Sequence, residues 1–331
     1  MIGDDEVSAR ELEDAAEIVR RAIVELLESG GLQAPPTFFE AATAVAFELF
    51  RRADVRVAVL EVGLGGRLDA TNVVLPVAAA ITSIDFDHES LLGPTLDAIA
   101  FEKAGIIKPG IPVVCGPLPA DAESVIQAVC EQQGARFISA RAADAQAGTA
   151  GSGFLALRGA HQRDNAGVAA RLLREVDALG IAVDDRAIAA GLSQVVWPGR
   201  LELFAVGQTE VLLDAAHNPA AARALARYLR DVGWAGCPLV FGVLRDKHAD
   251  AMLAELAPVC GTLICTTPDS DRALAAADTA AAARGVASGW TVAVVPDPRA
   301  ALDVALQSYS RIVAAGSIFL IGPLRGILRS R

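Results

Sequence analysis

E-V-L-L-D-A-A-H-N-P-A-A-A-R-A-L-A-R-Y-L-R-D-V-G-W-A-G-C-P-L-V-F-G-V, residues 210–243, holds one complete strand–helix–strand unit. Residues 210–213 are short and apolar and predict a strand. Pro219 suits a first helical turn, and a helix is expected over 219–232. Residues 238–243 form the next apolar run. A strand, a helix and a strand in succession imply a crossover, so the sheet is parallel and the class is α/β. The alternation continues as helix 249–257, strand 261–265, helix 272–284, strand 291–295, helix 298–309 and strand 317–321. The alanine-rich stretch 273–283 is a helix on this reading.

The same rhythm occurs earlier. V-R-V-A-V-L at 55–60 is β-branched and mostly apolar, as a buried strand is. Residues 77–84 and 112–115 are two more such runs, with helices expected over 95–105 and 121–133. An amphipathic helix is expected over 9–29, with Ser8 and Glu11 spaced as a capping box. Pro35-Pro36 breaks the chain, and Thr37 can cap a second helix through Arg51. Glycine and serine at 146–153 mark a surface loop, and a helix follows at 162–179. The pattern restarts near Trp197-Pro198-Gly199-Arg200. A boundary near 195 divides the chain into 1–195 and 196–331, two domains being ordinary for 331 residues.

Composition excludes several classes. The chain is 53% hydrophobic with a mean hydropathy of +0.40. No uncharged apolar run approaches the roughly 18–20 residues that a spanning helix needs. The acidic start M-I-G-D-D-E has no apolar core of a secretory signal. The five cysteines are odd in number and form no C-x-x-C pair, which favours neither a disulfide framework nor a zinc site. A reducing cytoplasm is the expected setting. The formal charge of −11 argues against nucleic-acid binding, though not against a phosphate ligand held by local charges or a metal ion.

Only three of the 29 basic residues are lysines, at 103, 108 and 247. A chain that otherwise uses arginine has kept an amine at these places, which points to amine chemistry at one or more of them. Glu61 follows the run 55–60, at the end of a strand where ligands of open parallel sheets bind. Gly63, Gly65 and Gly66 follow it. It is either a ligand residue or a solvated loop glutamate. His88 repeats that placement after 77–84, flanked by Asp85 and Asp87. Carboxylate and imidazole together suit a divalent cation, Mg²⁺ where phosphate is handled, although Mg²⁺ prefers oxygen. Lys103, after Glu102, also reads as a surface ion pair, and Asn165 as a surface residue. Asp214 and His217 precede Pro219, where free N–H groups can meet an anion or simply be capped. Arg200 can grip a phosphate bidentately or bridge two domains.

In order along the chain stand T-F-F-E (37–40), E-V-G-L-G-G-R-L-D-A-T-N (61–72), D-H (87–88), E-K-A-G-I (102–106), H-Q-x-x-N (161–165), W-x-G-R-L-E (197–202), L-D-x-A-H-N-P (213–219), F-G-x-L-x-D-K (241–247) and G-S-I-F-L-I-G (316–322). This series resembles the folylpolyglutamate synthase/dihydrofolate synthase family of Mur-ligase-like, ATP-dependent amide ligases. The resemblance implies two domains: a parallel-sheet ATPase domain and a smaller C-terminal Rossmann-like, glutamate-ligase domain. It implies that Mg-ATP phosphorylates a carboxylate of dihydropteroate or a reduced folate, and that the amine of L-glutamate displaces the phosphate. Glu61 and His88 would hold magnesium, and Lys103, carbamylated in this family, would add a carboxylate. Thr37, Phe38, Phe39 and Glu40, with Leu68, Asp69 and Ala70, would line the pterin site. Asn165, Arg200, Asp214, Ala215, Ala216 and His217 would contact ATP, and Lys103, His217 and Asp214 are the expected catalytic groups. A cytoplasmic monomer with small-molecule partners, and with neither nucleic acid nor membrane, is implied.

The chain departs from the family in two respects. The family opens with a strand, a G-T-N-G-K-G-S phosphate loop and a T-S-P-H segment, and these residues contain none of them. All three lysines follow Glu102, Ile107 or Asp246, so no G-x-x-x-x-G-K-[ST] loop occurs. Met1 aligns after those elements, and the first sheet is expected to be truncated and to show an open edge or gap. His248 stands where the family often has aspartate. A folate-binding paralogue without catalysis, or a Mur-type ligase acting on another acid, are the alternative expectations.

Overall fold

The strand–helix rhythm is realised as two sheets that share no strand. The structure is a computed structural model and describes residues 1–3, 5–145, 155–286 and 289–331; the loop expected at 146–153 lies outside them. The first part carries α1 (Ala9–Glu28), α2 (Phe38–Arg52), β1 (Ala79–Ile81), the single turn α3 (Glu89–Leu92), α4 (Leu96–Ala104), β2 (Pro112–Cys115), α5 (Ala120–Gln133), β3 (Arg136–Ser139), α6 (Ala160–Ala178) and α7 (Asp185–Gln194). The second carries β4 (Glu202–Val206), β5 (Thr209–Leu213), α8 (Pro219–Asp231), β6 (Cys237–Phe241), α9 (Ala249–Leu256), β7 (Cys260–Cys265), α10 (Ala276–Val286), β8 (Thr291–Val294), α11 (Pro298–Ser308), β9 (Arg311–Ala315) and α12 (Ile318–Arg329).

The second sheet runs β4-β5-β9-β6-β7-β8, parallel except for the antiparallel edge pair β4–β5. Its strands are apolar on both faces because helices cover both. Leu212, Leu239, Phe241 and Val313 face α8, α9 and α10, with Leu225, Leu229, Met252 and Leu253 beneath them. Their neighbours Val211, Leu213, Val240 and Ile312 face α11 and α12 through Leu302, Leu320 and Leu324. Successive residues therefore divide between two cores, as strand geometry requires.

The first sheet, β1-β2-β3, is smaller and wholly parallel. Ile81, Val113 and Cys115 pack on Ile99 and Ala104 of α4 and Ile126 of α5. Val114 and Ile138 meet Val168 of α6 on the other face. The capping boxes expected at Ser8/Glu11 and Thr37/Glu40 are both formed. The hairpin α1–α2 is thinly buried, with Ala15 and Leu49 the buried residues of the two helices.

Two expected strands are not strands. Residues 55–60 belong to neither sheet, and Val57 and Val59 are 51% and 94% exposed. An apolar alternating run becomes a strand only beside another strand, and here none lies alongside. β1 is an edge strand of its sheet, with Ala79 and Ile81 buried. Residues 318–321 open α12, and the last strand is instead β9 at 311–315. Gly316, at φ +122°, turns the chain out of β9, and the Ser317 hydroxyl then accepts the Phe319 N–H at 3.2 Å as a helix cap. The run I-F-L-I is too short for periodicity to separate helix from strand. Among the described residues no helix is long and apolar enough to cross a membrane.

Candidate active site

The glycines of E-V-G-L-G-G-R fix where α4 lies. A Cβ on Gly66 would sit 3.0 Å from the carbonyl oxygens of Glu102 and Lys103, and one on Gly105 would sit 2.2 Å from Arg67 Cα. The loop and the end of α4 therefore touch backbone to backbone. The Arg67 N–H donates to the Glu102 carbonyl at 2.8 Å, and its guanidinium pairs with the Glu102 carboxylate. Asp69 ties the loop from the other side, accepting the N–H groups of Gly63, Leu64 and Thr71 at 2.9–3.1 Å. Burial would raise its carboxyl, but these donors and the Thr71 hydroxyl hold it below the usual range. Gly105→Ala should therefore push the loop off α4 and cost about 1–3 kcal/mol, the usual range for overpacking. A shift in the urea midpoint at constant slope would measure it.

This packing sets Lys103 in the wall of a cleft of about 610 Å³. Gly63 to Gly65, the loop 82–88 after β1, His161 and Asn165 on α6, and Asn218 at the start of α8 complete the walls. The cleft is thus lined by both halves of the chain. The Lys103 amine has no hydrogen-bond or ion-pair partner among the described residues. Burial lowers its pKa from the ordinary lysine value, against the raising effect of the Asp87 charge. The other two lysines are engaged. Lys108 donates to the Asn72 carbonyl at 3.2 Å, and Lys247 pairs with Asp87 at 3.3 Å.

His88 lines the cleft from a left-handed backbone conformation, φ 52°. Its main-chain N–H donates to the Asp87 carboxylate at 2.9 Å. Glu61 is exposed and is not among the lining residues, although Val62 beside it is. No group of three histidine, cysteine, aspartate or glutamate side chains stands ready for a metal among the described residues. An all-protein cage is therefore not built. The cleft wall carries the carboxylates of Asp85, Asp87 and Asp164 beside the His88 imidazole, and these oxygens fit a Mg²⁺ that shares its coordination with substrate phosphates and water.

A second cluster stands where the halves join. Asp214, buried at the end of β5, accepts the N–H groups of Leu201 at 3.0 Å and Ala216 at 2.9 Å. Burial pushes its pKa up to about 6, against those bonds and the charges of Arg200 and His217. Leu201 is held at φ 46°, a strained position for a residue with a side chain. The Ala215 N–H donates to the Gly199 carbonyl at 2.7 Å, closing the turn that presents Arg200. Arg200 forms no ion pair among the described residues, so the interdomain bridge is not made. Its charge reaches His161, whose pKa is lowered by burial first and by Arg200 next. His217 donates from Nδ1 to the Ala215 carbonyl at 3.0 Å, the tautomer that leaves Nε2 as an acceptor. Asn165 bonds Gln162 at 3.2 Å at the cleft wall.

The residues expected at the pterin site have mixed placements. Glu40 is consumed in the α2 capping box, accepting the Thr37 N–H and hydroxyl at 2.7 Å. Phe38 and Leu68 project into solvent. Phe39 lies against Gly63, where a Cβ would meet its ring at 2.5 Å. Ala70 begins a single 3-10 turn capped by Asp69. Sequence reasoning gave Asp87 and Asn218 no role of their own and Lys247 only a share in the lysine signal, yet the three meet here. The scarcity of lysine was the one signal that marked Lys247.

Comparison with known proteins places this architecture. The model of the Mur ligase, glutamate ligase domain matches residues 199–321. The chain is 34% identical over 315 residues to the dihydrofolate synthase/folylpolyglutamate synthase of Bacillus subtilis, covering 89% of this chain and 73% of that protein. It is 38% identical over 316 residues to a probable bifunctional folylpolyglutamate synthase/dihydropteroate synthase of Halobacterium salinarum, and there it spans 88% of its own length but 37% of the relative's. Among solved structures, the Mycobacterium tuberculosis folylpolyglutamate synthase complexed with ADP and AMPPCP superposes with a TM-score of 0.83 at 31% identity, covering 97% of this chain and 79% of that one. Escherichia coli FolC in complex with DHPP and ADP gives 0.84 at 27% identity, covering 99% and 77%. On these identities and coverages, the chain belongs to the folylpolyglutamate synthase/dihydrofolate synthase family of Mur-type ligases.

Proposed function

We propose that the cleft ligates L-glutamate to the carboxylate of dihydropteroate or a reduced folate, using ATP. The observation that carries this reading is the unpartnered, half-buried Lys103 amine with its lowered pKa. Only an amine that sheds its proton takes up CO₂, and a carbamate there would supply an oxygen donor that arginine could not. In the reaction a carboxylate oxygen attacks the γ-phosphorus and ADP leaves. The glutamate amine then attacks the acyl carbon, inorganic phosphate leaves, and the nitrogen gives up a proton. Bound Mg²⁺ would neutralise phosphate charge, with His88 and carbamylated Lys103 as its protein donors in the cleft; Glu61, outside the lining, would have to turn inward to join them. Arg200 and the free N–H groups opening α8 would meet the nucleotide, with Asn165 and Ala215 to His217 beside it. Asp214 acts by holding Arg200 and His217 in place. Thr37 to Glu40 and Leu68 to Ala70 would border the pterin, with Phe39 as its apolar wall.

We assign residues 1–195 to nucleotide binding and catalysis and 196–331 to the glutamate-ligase domain, in line with the family match at 199–321. A monomer is the working form in this reading. Five free cysteines suit a reducing, cytoplasmic setting.

The alternative to be separated from this reading is folate binding without ligation. One experiment separates the two. The purified chain is given Mg-ATP, labelled glutamate and dihydropteroate or tetrahydrofolate, with calorimetric titration of the pterin in parallel. ATP-dependent incorporation supports ligation. Pterin binding without incorporation supports the second reading, and neither would remove both.

A further inference from the structure

Asp87 holds three partners that come from different parts of the chain. Its Oδ1 accepts the main-chain N–H of His88 at 2.9 Å and Nζ of Lys247 at 3.3 Å. Its Oδ2 accepts Nδ2 of Asn218 at 2.8 Å. Asn218 is itself committed, because its Oδ1 caps α8 by accepting the Ala221 N–H at 2.8 Å. With the oxygen facing the helix, its NH₂ can only face Asp87. Lys247 stands on the loop between β6 and α9, and its side chain is 12% exposed. The pair is therefore partly desolvated, unlike the exposed ion pairs that contribute little. Two looser contacts flank it: Arg223 to Asp85 at 3.4 Å, and His248 to Glu89 at 3.9 Å. The contacts of Asp87 with Asn218 and Lys247, of Asp85 with Arg223 and of Glu89 with His248 join residues 85–89, in the first sheet's half, to the second sheet's half.

We propose that Asp87 is a positioning residue that latches the two halves together: one carboxylate sets the left-handed turn of His88 and docks the turn carrying His217 and Asn218 and the loop carrying Lys247. The imidazole of the first half and the N-terminus of α8 are then set together and released together. Arg223 and His248 add charge at the rim. The latch is a property of how the halves dock and stands whichever reaction the cleft performs.

The test is a reciprocal exchange in the full chain. Asn218→Asp keeps a helix cap, since aspartate caps as well as asparagine, but sets a carboxylate against Asp87. Amide hydrogen exchange over 85–92 and 219–222 should accelerate together by about tenfold or more, the shift expected on losing a hydrogen bond to a charged group. The radius of gyration from small-angle scattering should rise. The double variant Asp87→Asn with Asn218→Asp again places an amide donor opposite a carboxylate, and should recover most of both changes. A residue that merely stabilises its own loop would give no such recovery. Unchanged exchange in Asn218→Asp, or a double variant as perturbed as the single one, would overturn the latch. If Asn218→Asp does not fold, Lys247→Met, which touches neither the cap nor the His88 N–H, serves the same purpose. It should speed exchange at both segments, and acceleration at 85–92 alone would also overturn the proposal.

Discussion

Asp214→Ala should destabilise the chain by about 2–6 kcal/mol at acidic pH, because the N–H groups of Leu201 and Ala216 both lose their buried acceptor, at about 1–3 kcal/mol each. Leu201, no longer held at φ 46°, is free to leave its strained conformation, and Arg200 moves with it. The effect depends on pH with a definite sign. Burial raises the folded-state pKa of Asp214 to about 6, above the roughly 3.9 of an unfolded aspartate. Its contribution is therefore complete below about pH 4 and is lost as pH rises through about 6, by roughly 3 kcal/mol. The wild-type advantage over the variant should narrow over that window. Urea unfolding of both proteins at several pH values from 4 to 7.5 measures it; a gap that widens with pH would contradict the burial argument.

Lys103→Arg should abolish CO₂ uptake and lower glutamate incorporation by about 10²-fold or more, the scale seen when a preorganised charge-stabilising group is removed from an active site. Arginine keeps the charge but does not deprotonate, and so forms no carbamate. Carbon-13 NMR with labelled bicarbonate should show a carbamate signal in the wild type and none in the variant. Because Lys103 makes no ion pair or hydrogen bond among the described residues, the melting temperature should change little. A variant with full activity would remove Lys103 from the chemistry.

The sequence carried the second sheet well because β5, β6 and β7 each hold a run of three or more apolar residues, 211–213, 238–241 and 263–265, with helical sequence between. It misled at 55–60, whose pattern matches that of β2 but which has no strand beside it: pairing is a property of neighbours, and periodicity records only the residue. It misled again at 317–321, where the cap at Ser317 decides for a helix and an apolar tetrad does not. The short edge strands β3 and β4 and the helix α7 carried too little pattern to be read. At the site, Lys103 was legible through the rarity of lysine. Gly66 makes room for the carbonyls of α4, a packing role that the glycine spacing at 63–66 does not announce. Asp87 and Lys247, separated by 160 positions, meet only through the docking of the two halves, and nothing local to either announces it.

The bare valines at 57 and 59 lie in a stretch that joins neither sheet, and such apolar surface favours contact between molecules. What keeps such molecules apart in solution is their shared negative charge of −11. Dissolved ions shorten the reach of that repulsion to about 8 Å at physiological strength. The colloidal behaviour of this protein is thus tied to ionic strength: dilute buffer disperses it, and brine invites it to stick.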